Sequence, residues 1–299
     1  MTTTLVTGIN GFTGLYMAER LRAAGHEVHG LVRDAHQAGR HAGNVLHTCD
    51  LLDQARMLTI IAEIRPHYIV HLAGIAFVGH GDLAEMYRTN VLGTRALLEA
   101  SSAAAHPPRA SLVASSANVY GKSSEGTLTE DAPVHPANDY AITKVAVENL
   151  AAIYGARVPV IIARPFNYTG VGQSDSFLIP KIVGYLKRKE PTIELGNLDI
   201  ARDFSDVRAV VDAYLRLIET PRAVGETFNV CSGDAVSLRD VIARAGQIAG
   251  HDIEVRVNPG FVRANEVKLL RGSRAKLEST IGSLAVPPLA ATLRWMIES

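Results

Sequence analysis

The chain has 299 residues, with 30 Lys plus Arg against 30 Asp plus Glu and a formal net charge of zero. That length allows one large or two smaller domains around a sizeable core, and the balanced charge gives no reason to expect nucleic acid or an anionic membrane as partner. The two cysteines, Cys49 and Cys231, stand alone at no metal-type spacing, and no apolar run reaches bilayer length. The expectation is therefore a soluble, cytoplasmic chain with buried, reduced thiols and no metal.

Thr3-Thr4-Leu5-Val6-Thr7 is a short β-branched and apolar run. Gly8-Ile9-Asn10-Gly11-Phe12-Thr13-Gly14 follows, and then Leu15, Met17, Ala18 and Leu21 at helical spacing. A glycine pattern is a weak signal alone, but strand, glycine-rich turn and helix in sequence is the context of a dinucleotide-binding motif. Gly8 permits the tight turn, Gly11 lets the backbone approach a pyrophosphate, and Gly14 lets the helix pack closely on the strand. The helix start, with Asn10, Phe12 and Thr13 around it, offers N–H groups to the phosphates.

His26 to Arg33 reads as the second strand. An acidic residue at its end would bond the adenosine 2′-hydroxyl of NAD and repel the 2′-phosphate of NADP. This chain has Val32 and then Arg33, which favours NADP(H) and leaves NAD(H) open. Asp50 and Leu51 follow the third strand and are expected at the adenine edge. His67 to Gly74 reads as the fourth strand, running through Leu72 and Ala73 into a turn at Gly74 beside the cofactor. His71 reads as a packed strand residue, because no second ligand stands at metal spacing.

Asn90 to Leu98 reads as the opening of an amphipathic helix, and Ser111 to Ser116 as the next strand. Ser116 lies at the carboxyl end of that strand, where ligands bind in open α/β sheets. Asn138, just after Pro136, is a candidate N-cap for a helix that carries Tyr140 and Lys144 four residues apart on one face. An ammonium beside a phenol favours phenolate, so the Tyr140 pKa is expected to fall from its usual ~10 toward the working pH. That would make Tyr140 a proton donor and acceptor. Such a pair is commonplace in isolation, and the glycine turn and Ser116 ahead of it give it weight. The alternation of strands and helices predicts an α/β fold with a doubly wound parallel sheet.

Thr7-Gly8-x-x-Gly11-x-x-Gly14, Asn90, Ser116 and Tyr140-x-x-x-Lys144 occur in the order and spacing of the extended short-chain dehydrogenase/reductases. The chain resembles that family over essentially its whole length. The resemblance implies a Rossmann domain from 1–165 and 206–232, and a smaller C-terminal α/β substrate domain from 166–205 and 233–299. It implies that Ser116, Tyr140 and Lys144 are catalytic, and that Asn90, Tyr140 and Lys144 also meet the cofactor. It also implies a nucleotide-sugar substrate in the cleft between the domains, and a homodimer through the helices beginning near Asn90 and Tyr140.

The second half narrows the resemblance. Ala163 to Gln173, with Asn167 inside it, resembles the sugar-nucleotide loop, and Leu195 to Val207 looks like the segment over the nucleotide. Arg263-Ala264-Asn265-Glu266-Val267 resembles an Arg-Pro-x-Glu-Val segment, with Ala264 where proline is usual. Arg202 and Arg263 are suited to clamp a diphosphate, Lys181 to reach a phosphate, and Glu266 to accept from ribose hydroxyls. The bland alternative for these four, with Ser116 and Asn167 completing the substrate set, is surface ion pairing.

Gly-Gln-x-x-x-Phe at 172–177 and Gly-Asn-Leu-x-x-x-Arg-Asp-Phe at 196–204 are similar to the loops of GDP-mannose 4,6-dehydratases and GDP-4-keto-6-deoxy-mannose reductases. A dehydratase uses an acid just after the catalytic hydroxyl residue. Here Ala117 and Asn118 stand there, and an amide transfers no proton at neutral pH. The resemblance with that gap implies a reductase that takes a GDP-linked deoxy sugar, GDP-4-keto-6-deoxy-D-mannose, to GDP-D-rhamnose. A GDP-6-deoxy-D-talose-forming reductase, a 4-epimerase retaining NAD and a dehydratase stay open as enzyme alternatives. A silent NADP-binding regulatory protein is the alternative outside enzymes, and the intact Ser116, Tyr140 and Lys144 set speaks against it.

Overall fold

The computed structural model describes residues 1–34, 43–77, 79–121, 126–262 and 267–299. The first half alternates strand and helix: β1 (Thr2–Thr7), α1 (Phe12–Ala23), β2 (His26–Val32), β3 (Val45–Thr48), α2 (Gln54–Ile64), β4 (Tyr68–His71), α3 (Leu83–Tyr87), α4 (Gly93–Ala103), β5 (Ala110–Ala114), α5 (Asp139–Tyr154) and β6 (Val160–Pro165). The second half adds β7 (Asn167–Thr169), α6 (Leu178–Lys187), β8 (Thr192–Leu195), β9 (Ala201–Asp206), α7 (Val207–Ile218), β10 (Thr227–Val230), β11 (Ala235–Ser237), α8 (Leu238–Ala249), β12 (Glu254–Val257), β13 (Leu269–Leu270), α9 (Ala275–Ile281) and α10 (Leu289–Glu298).

Among the described residues, seven strands pair in the order β3-β2-β1-β4-β5-β6-β10, every pair parallel. This is the doubly wound sheet that the alternating pattern predicts. The chain winds outward from β1 to β3 and returns to β4 on the other side of β1. The switch point therefore lies between β1 and β4, where an open α/β sheet binds its ligand. Burial explains the composition of β1: from Thr3 to Thr7 it is covered throughout, as a strand with helices on both faces must be.

One face of the sheet packs on α1 and α7 through Met17, Leu21, Val210 and Tyr214. The other packs on α2 and α4 through Met57, Ile60, Ile61 and Leu97, and on α5 through Val147 and Ala151. Each fully buried apolar side chain of this kind contributes ~1.5–3 kcal/mol. Both α7 and β10 lie on this sheet although the chain leaves it at β6. The remaining strands are smaller in extent. In one group β9 pairs antiparallel with β11 and parallel with β13 and β7, and in another β8 pairs parallel with β12. Ile182 and Leu186 of α6, Val241 of α8 and Leu293 of α10 close a separate core over them.

Two helix starts matter for the site. α5 begins as expected, with the Asn138 side chain accepting the Ala141 N–H at 2.9 Å. The helix expected to open at Asn90 opens earlier. Asp82 caps it by accepting the Glu85 N–H at 2.9 Å, and α3 runs through a π turn, Arg88–Leu92, into α4. The π turn breaks the 3.6-residue period, which hides the first turns from a periodicity reading. Among the described residues no helix is long and apolar enough to cross a membrane, and no three His, Cys, Asp or Glu side chains cluster to hold a metal ion.

Candidate active site

The glycine turn folds as its residue types require. Gly8 has φ +70, and a Cβ there would lie 2.7 Å from the Ala73 nitrogen. A Cβ on Gly14 would lie 2.1 Å from the Gly8 carbonyl oxygen, whereas one on Gly11 would meet nothing closer than that oxygen at 3.2 Å. Gly11 is also the N-cap of α1 and offers no side-chain cap, which leaves first-turn N–H groups for an anion. A cavity of about 580 Å³ opens here, walled by Gly8, Asn10, Arg33, Asp50, Leu51, Ala73 and Gly74. An open backbone cradle, a helix N-terminus and a cationic far end fit a dinucleotide.

Other residues expected at the cofactor stand beside the cavity. Phe12 stacks on Tyr168 with ring centroids 6.2 Å apart, and the Thr13 hydroxyl lies 2.8 Å from the Tyr168 hydroxyl, so both face β7. Leu72 packs against the core of the α1 face. Three charged residues that the sequence reading missed, Asp82, Glu85 and Arg88, also wall the cavity. Glu85 lies in α3, Asp82 caps that helix and Arg88 follows it into the π turn, and the sequence reading left all three outside the helix.

Gly74 is where the cavity meets the polar centre. A Cβ there would lie 3.0 Å from Asn90 Oδ1 and 3.7 Å from Lys144 Nζ. The Asn90 amide is fully used: Oδ1 accepts the Ile75 N–H at 2.7 Å, and Nδ2 donates to the Ile75 carbonyl at 3.1 Å and to Thr143 Oγ1 at 3.0 Å. Its backbone carbonyl accepts from Thr94 Oγ1 at 2.6 Å. With that proton committed, His71 Nε2 donates to Thr94 at 2.9 Å and His71 Nδ1 accepts from Thr7 Oγ1 at 2.6 Å. His71 is thus the packed strand residue expected, and it braces β1 and β4 against α4.

Burial pushes the His71 pKa from 6.5 down to about 3, with the charge of Lys144 adding to the effect. The folded protein keeps His71 neutral while the unfolded chain takes up a proton below pH 6.5. The unfolded state then binds more protons between those values, so stability falls as pH drops from 6.5 toward 3. Urea unfolding across this window should show that slope, and it should flatten in His71→Asn. An unchanged slope would remove His71 as the cause.

Ser116, Tyr140 and Lys144 are brought together and buried. Ser116 follows β5 and caps a 3₁₀ turn, Ala117–Tyr120, which aims its hydroxyl toward α5. Its Oγ accepts the Asn118 backbone N–H at 3.2 Å and Asn118 Nδ2 at 3.1 Å, and it faces the Tyr140 hydroxyl. Lys144, one turn along α5, donates from Nζ to the Ala114 carbonyl at 2.7 Å and lies 5.9 Å from the Tyr140 ring centroid.

The electrostatics correct one expectation. Burial pushes the Tyr140 pKa well above 10, and the contact with Ser116 opposes it only in part. The nearby ammonium does not offset that burial. Lys144 is itself pushed from 10.5 to about 8 by burial, with Glu148 working against that shift. Desolvation outweighs the neighbouring charge for both groups. At neutral pH Tyr140 is therefore a protonated phenol, the form that can give a proton.

Glu148 belongs to a set the sequence reading missed. Arg164 on β6 donates from Nε and Nη2 to the two Glu148 oxygens at 2.8 and 2.7 Å, and Ser115 Oγ donates to Glu148 Oε1 at 2.5 Å. Arg164 Nη1 reaches the Tyr120 hydroxyl and the Glu130 carbonyl, each at 3.0 Å. The only hint in the sequence is that Glu148 stands four residues after Lys144 on one helix face.

Among the described residues, the expected substrate residues Asn167, Lys181 and Arg202 lie on three separate elements, β7, α6 and β9. Asn167 opens β7 with its Nδ2 buried and unbonded. Lys181 is not an unattached point charge: Nζ donates to the Glu194 carbonyl at 2.8 Å and lies 4.9 Å from the Phe261 ring centroid. Arg202 donates from Nη1 to the Ala201 carbonyl at 2.9 Å and to that of Lys268 at 3.3 Å. Arg263 and Glu266 lie outside the described residues.

A buried phenol that holds its proton, a serine hydroxyl and a lysine at the end of a dinucleotide-sized cavity suit hydride chemistry at a carbonyl. The model of the family described as GDP-mannose 4,6 dehydratase matches residues 5–283. The chain belongs to this family. GDP-6-deoxy-D-mannose reductase of Pseudomonas aeruginosa is 35% identical over 288 residues, covering 93% of this chain and 90% of its own. GDP-6-deoxy-D-talose 4-dehydrogenase of Aggregatibacter actinomycetemcomitans is 31% identical over 279 residues, covering 93% and 91%. A solved structure from Burkholderia cenocepacia J2315, described as a presumed epimerase, superposes with a TM-score of 0.93 at 51% identity, covering 99% of this chain and 97% of its own. The member described here is an NAD(P)-dependent enzyme of the extended short-chain dehydrogenase/reductase type, within a group that works on nucleotide-sugars.

Proposed function

We propose that this enzyme reduces the C4 keto group of GDP-4-keto-6-deoxy-D-mannose to give GDP-D-rhamnose, with NADPH as the preferred donor and NADH as the second. The observation that carries the reading is a protonated Tyr140 beside Ser116, with Ala117 and Asn118 where a dehydratase needs an acid. The bound cofactor supplies the hydride. Tyr140 gives its proton to the oxygen as charge develops there, Ser116 donates a hydrogen bond to the same oxygen, and the Lys144 ammonium favours the phenolate left behind. Gly8, Asn10, Gly11, Phe12, Thr13 and Gly14 hold the diphosphate end of the cofactor in this reading. Asp50, Leu51, Leu72, Ala73, Gly74 and Asn90 line the rest of its length. Asn167, Lys181, Arg202, Arg263 and Glu266 hold the GDP-sugar.

The same reading divides the chain into a dinucleotide domain, 1–165 with 206–232, and a substrate domain, 166–205 with 233–299. It also makes the enzyme a homodimer. The exposed Leu92, Ile142 and Ile153, on the helical run through α4 and on α5, support that interface.

Purified enzyme supplied with defined GDP- and UDP-linked 4-keto sugars and NADPH tests the reading, with NMR of the product. Steady NADPH consumption with the GDP keto sugar and a rhamno product is expected. A talo product would make it the talose-forming reductase, a reading that the Aggregatibacter relative supports. Inversion at C4 without net NADPH use would make it an epimerase, and rapid conversion of GDP-mannose a dehydratase. NADPH binding without turnover would make it a regulatory protein.

Two residues test the ligand assignments. Arg33→Ala should raise the KM for NADPH far more than that for NADH, and equal effects would end the NADP preference. Arg202→Ala should weaken GDP-sugar binding by about 2 kcal/mol, as loss of a charge-assisted bond to phosphate does, and leave NADPH binding nearly unchanged. Titration calorimetry with each ligand separates the two.

A further inference from the structure

A serine hydroxyl has one proton to give and two lone pairs to receive. At Ser116 both lone pairs are taken by one residue, through the Asn118 backbone N–H at 3.2 Å and Asn118 Nδ2 at 3.1 Å. Ser116 can therefore meet its other neighbour, Tyr140, only as a donor. Tyr140 in turn finds no acceptor on Ser116, so its own proton is left for a group in the cleft. Which of the two facing hydroxyls can donate to the other is thus decided at residue 118.

We propose that Asn118 is a positioning residue that keeps Ser116 a donor only, so that a carbonyl oxygen bound between the two hydroxyls takes the Ser116 proton from its resting place on Tyr140 and receives the Tyr140 proton beside it. The proposal rests on the reading of the site as a carbonyl reductase. It gives the amide at 118 a role of its own, separate from the acid it replaces. A carboxylate there would do the reverse, because it can only accept. It would draw the Ser116 proton to itself, Ser116 would accept from Tyr140, and both protons would turn away from the substrate.

Three variants separate this from a packing role. Asn118→Asp keeps the shape and reverses the polarity. Asn118→Ala removes the side-chain donor and keeps the backbone one, and Asn118→Leu does the same with the volume retained. Loss of one hydrogen bond should lower kcat roughly 2- to 10-fold in the Ala and Leu variants, with KM little changed. The Asp variant should lose on the order of 10²-fold, as when an oxyanion donor is removed. Its rate relative to wild type should then recover as pH falls, because a protonated carboxyl donates to Ser116 again.

Beside Tyr120 on the turn itself, the titratable groups around this point are His135, Tyr140, Lys144, Glu148, Arg164 and Tyr168. All are shared with wild type, so the ratio of rates isolates residue 118. The measurement is NADPH oxidation with the keto sugar across pH, with thermal unfolding to show that each variant is folded. An Asp variant no slower than Ala, or a ratio that does not change with pH, overturns the proposal while leaving the reductase standing. Should Asp fail to fold, Ala or Leu variants at full wild-type kcat overturn it instead. Wild-type protein inactive on every keto sugar overturns the reductase reading and this proposal together.

Discussion

Tyr140→Phe is expected to lower kcat by ~10²–10⁴, the range for loss of a positioned general acid. The ring still packs and Ser116 keeps its place, so binding of cofactor and sugar should change little. What disappears is the one proton held at the carbonyl oxygen by a group that burial keeps protonated at neutral pH. The pH profile of kcat/KM, which reports free-enzyme groups, should fall as pH rises through about 8, where Lys144 loses its charge. Lys144→Met should abolish that limb and leave a low, flat rate. A Tyr140→Phe variant within tenfold of wild type would mean that another group delivers the proton.

The largest loss of stability is expected at Arg164. Its side chain is 8% exposed and that of its partner Glu148 is 14% exposed, with 2.7 Å between them. Arg164→Met leaves a buried carboxylate without its cation, which costs ~3–5 kcal/mol. The double variant Arg164→Met with Glu148→Leu should recover much of that, since an apolar pair of similar volume needs no charge compensation. Denaturant midpoints of the single and double variants check both statements. Equal stability of the single and double variants would mean that the charge is not what matters.

What could be read in the sequence was local. The glycine turn lies within seven residues, and Asn138 caps α5 three residues before the bond it makes, so strand, turn and helix followed from neighbours alone. The Arg164–Glu148 pair could not be read this way, because tertiary packing joins β6 to α5 and no periodicity announces it. The pKa of Tyr140 failed for a related reason. The neighbouring lysine is visible in sequence, whereas the depth of burial that overrides it is a property of the whole fold. Lys181 reads as an unattached charge in the sequence, whereas the fold gives its ammonium a carbonyl from β8 and a ring from the loop at Phe261. The helix start near Asn90 was misplaced because the π turn shifts the pattern on which the reading depends.

That π turn gives the helix slack where its two ends serve different neighbours. A π turn holds one residue more than the α-helical turn it replaces. Wound as ordinary helix with every residue kept, Arg88–Leu92 would swing everything on one side by roughly 100° about the axis relative to the other. Asp82 and Glu85 at the cavity, and Thr94 against His71, could not then both keep their places. The turn takes up the surplus residue and holds the flanking helices in phase. A deletion of one residue should therefore be absorbed inside Arg88–Leu92, where it closes the π turn, and not in α4, where it would rotate one face of the rod away from the sheet.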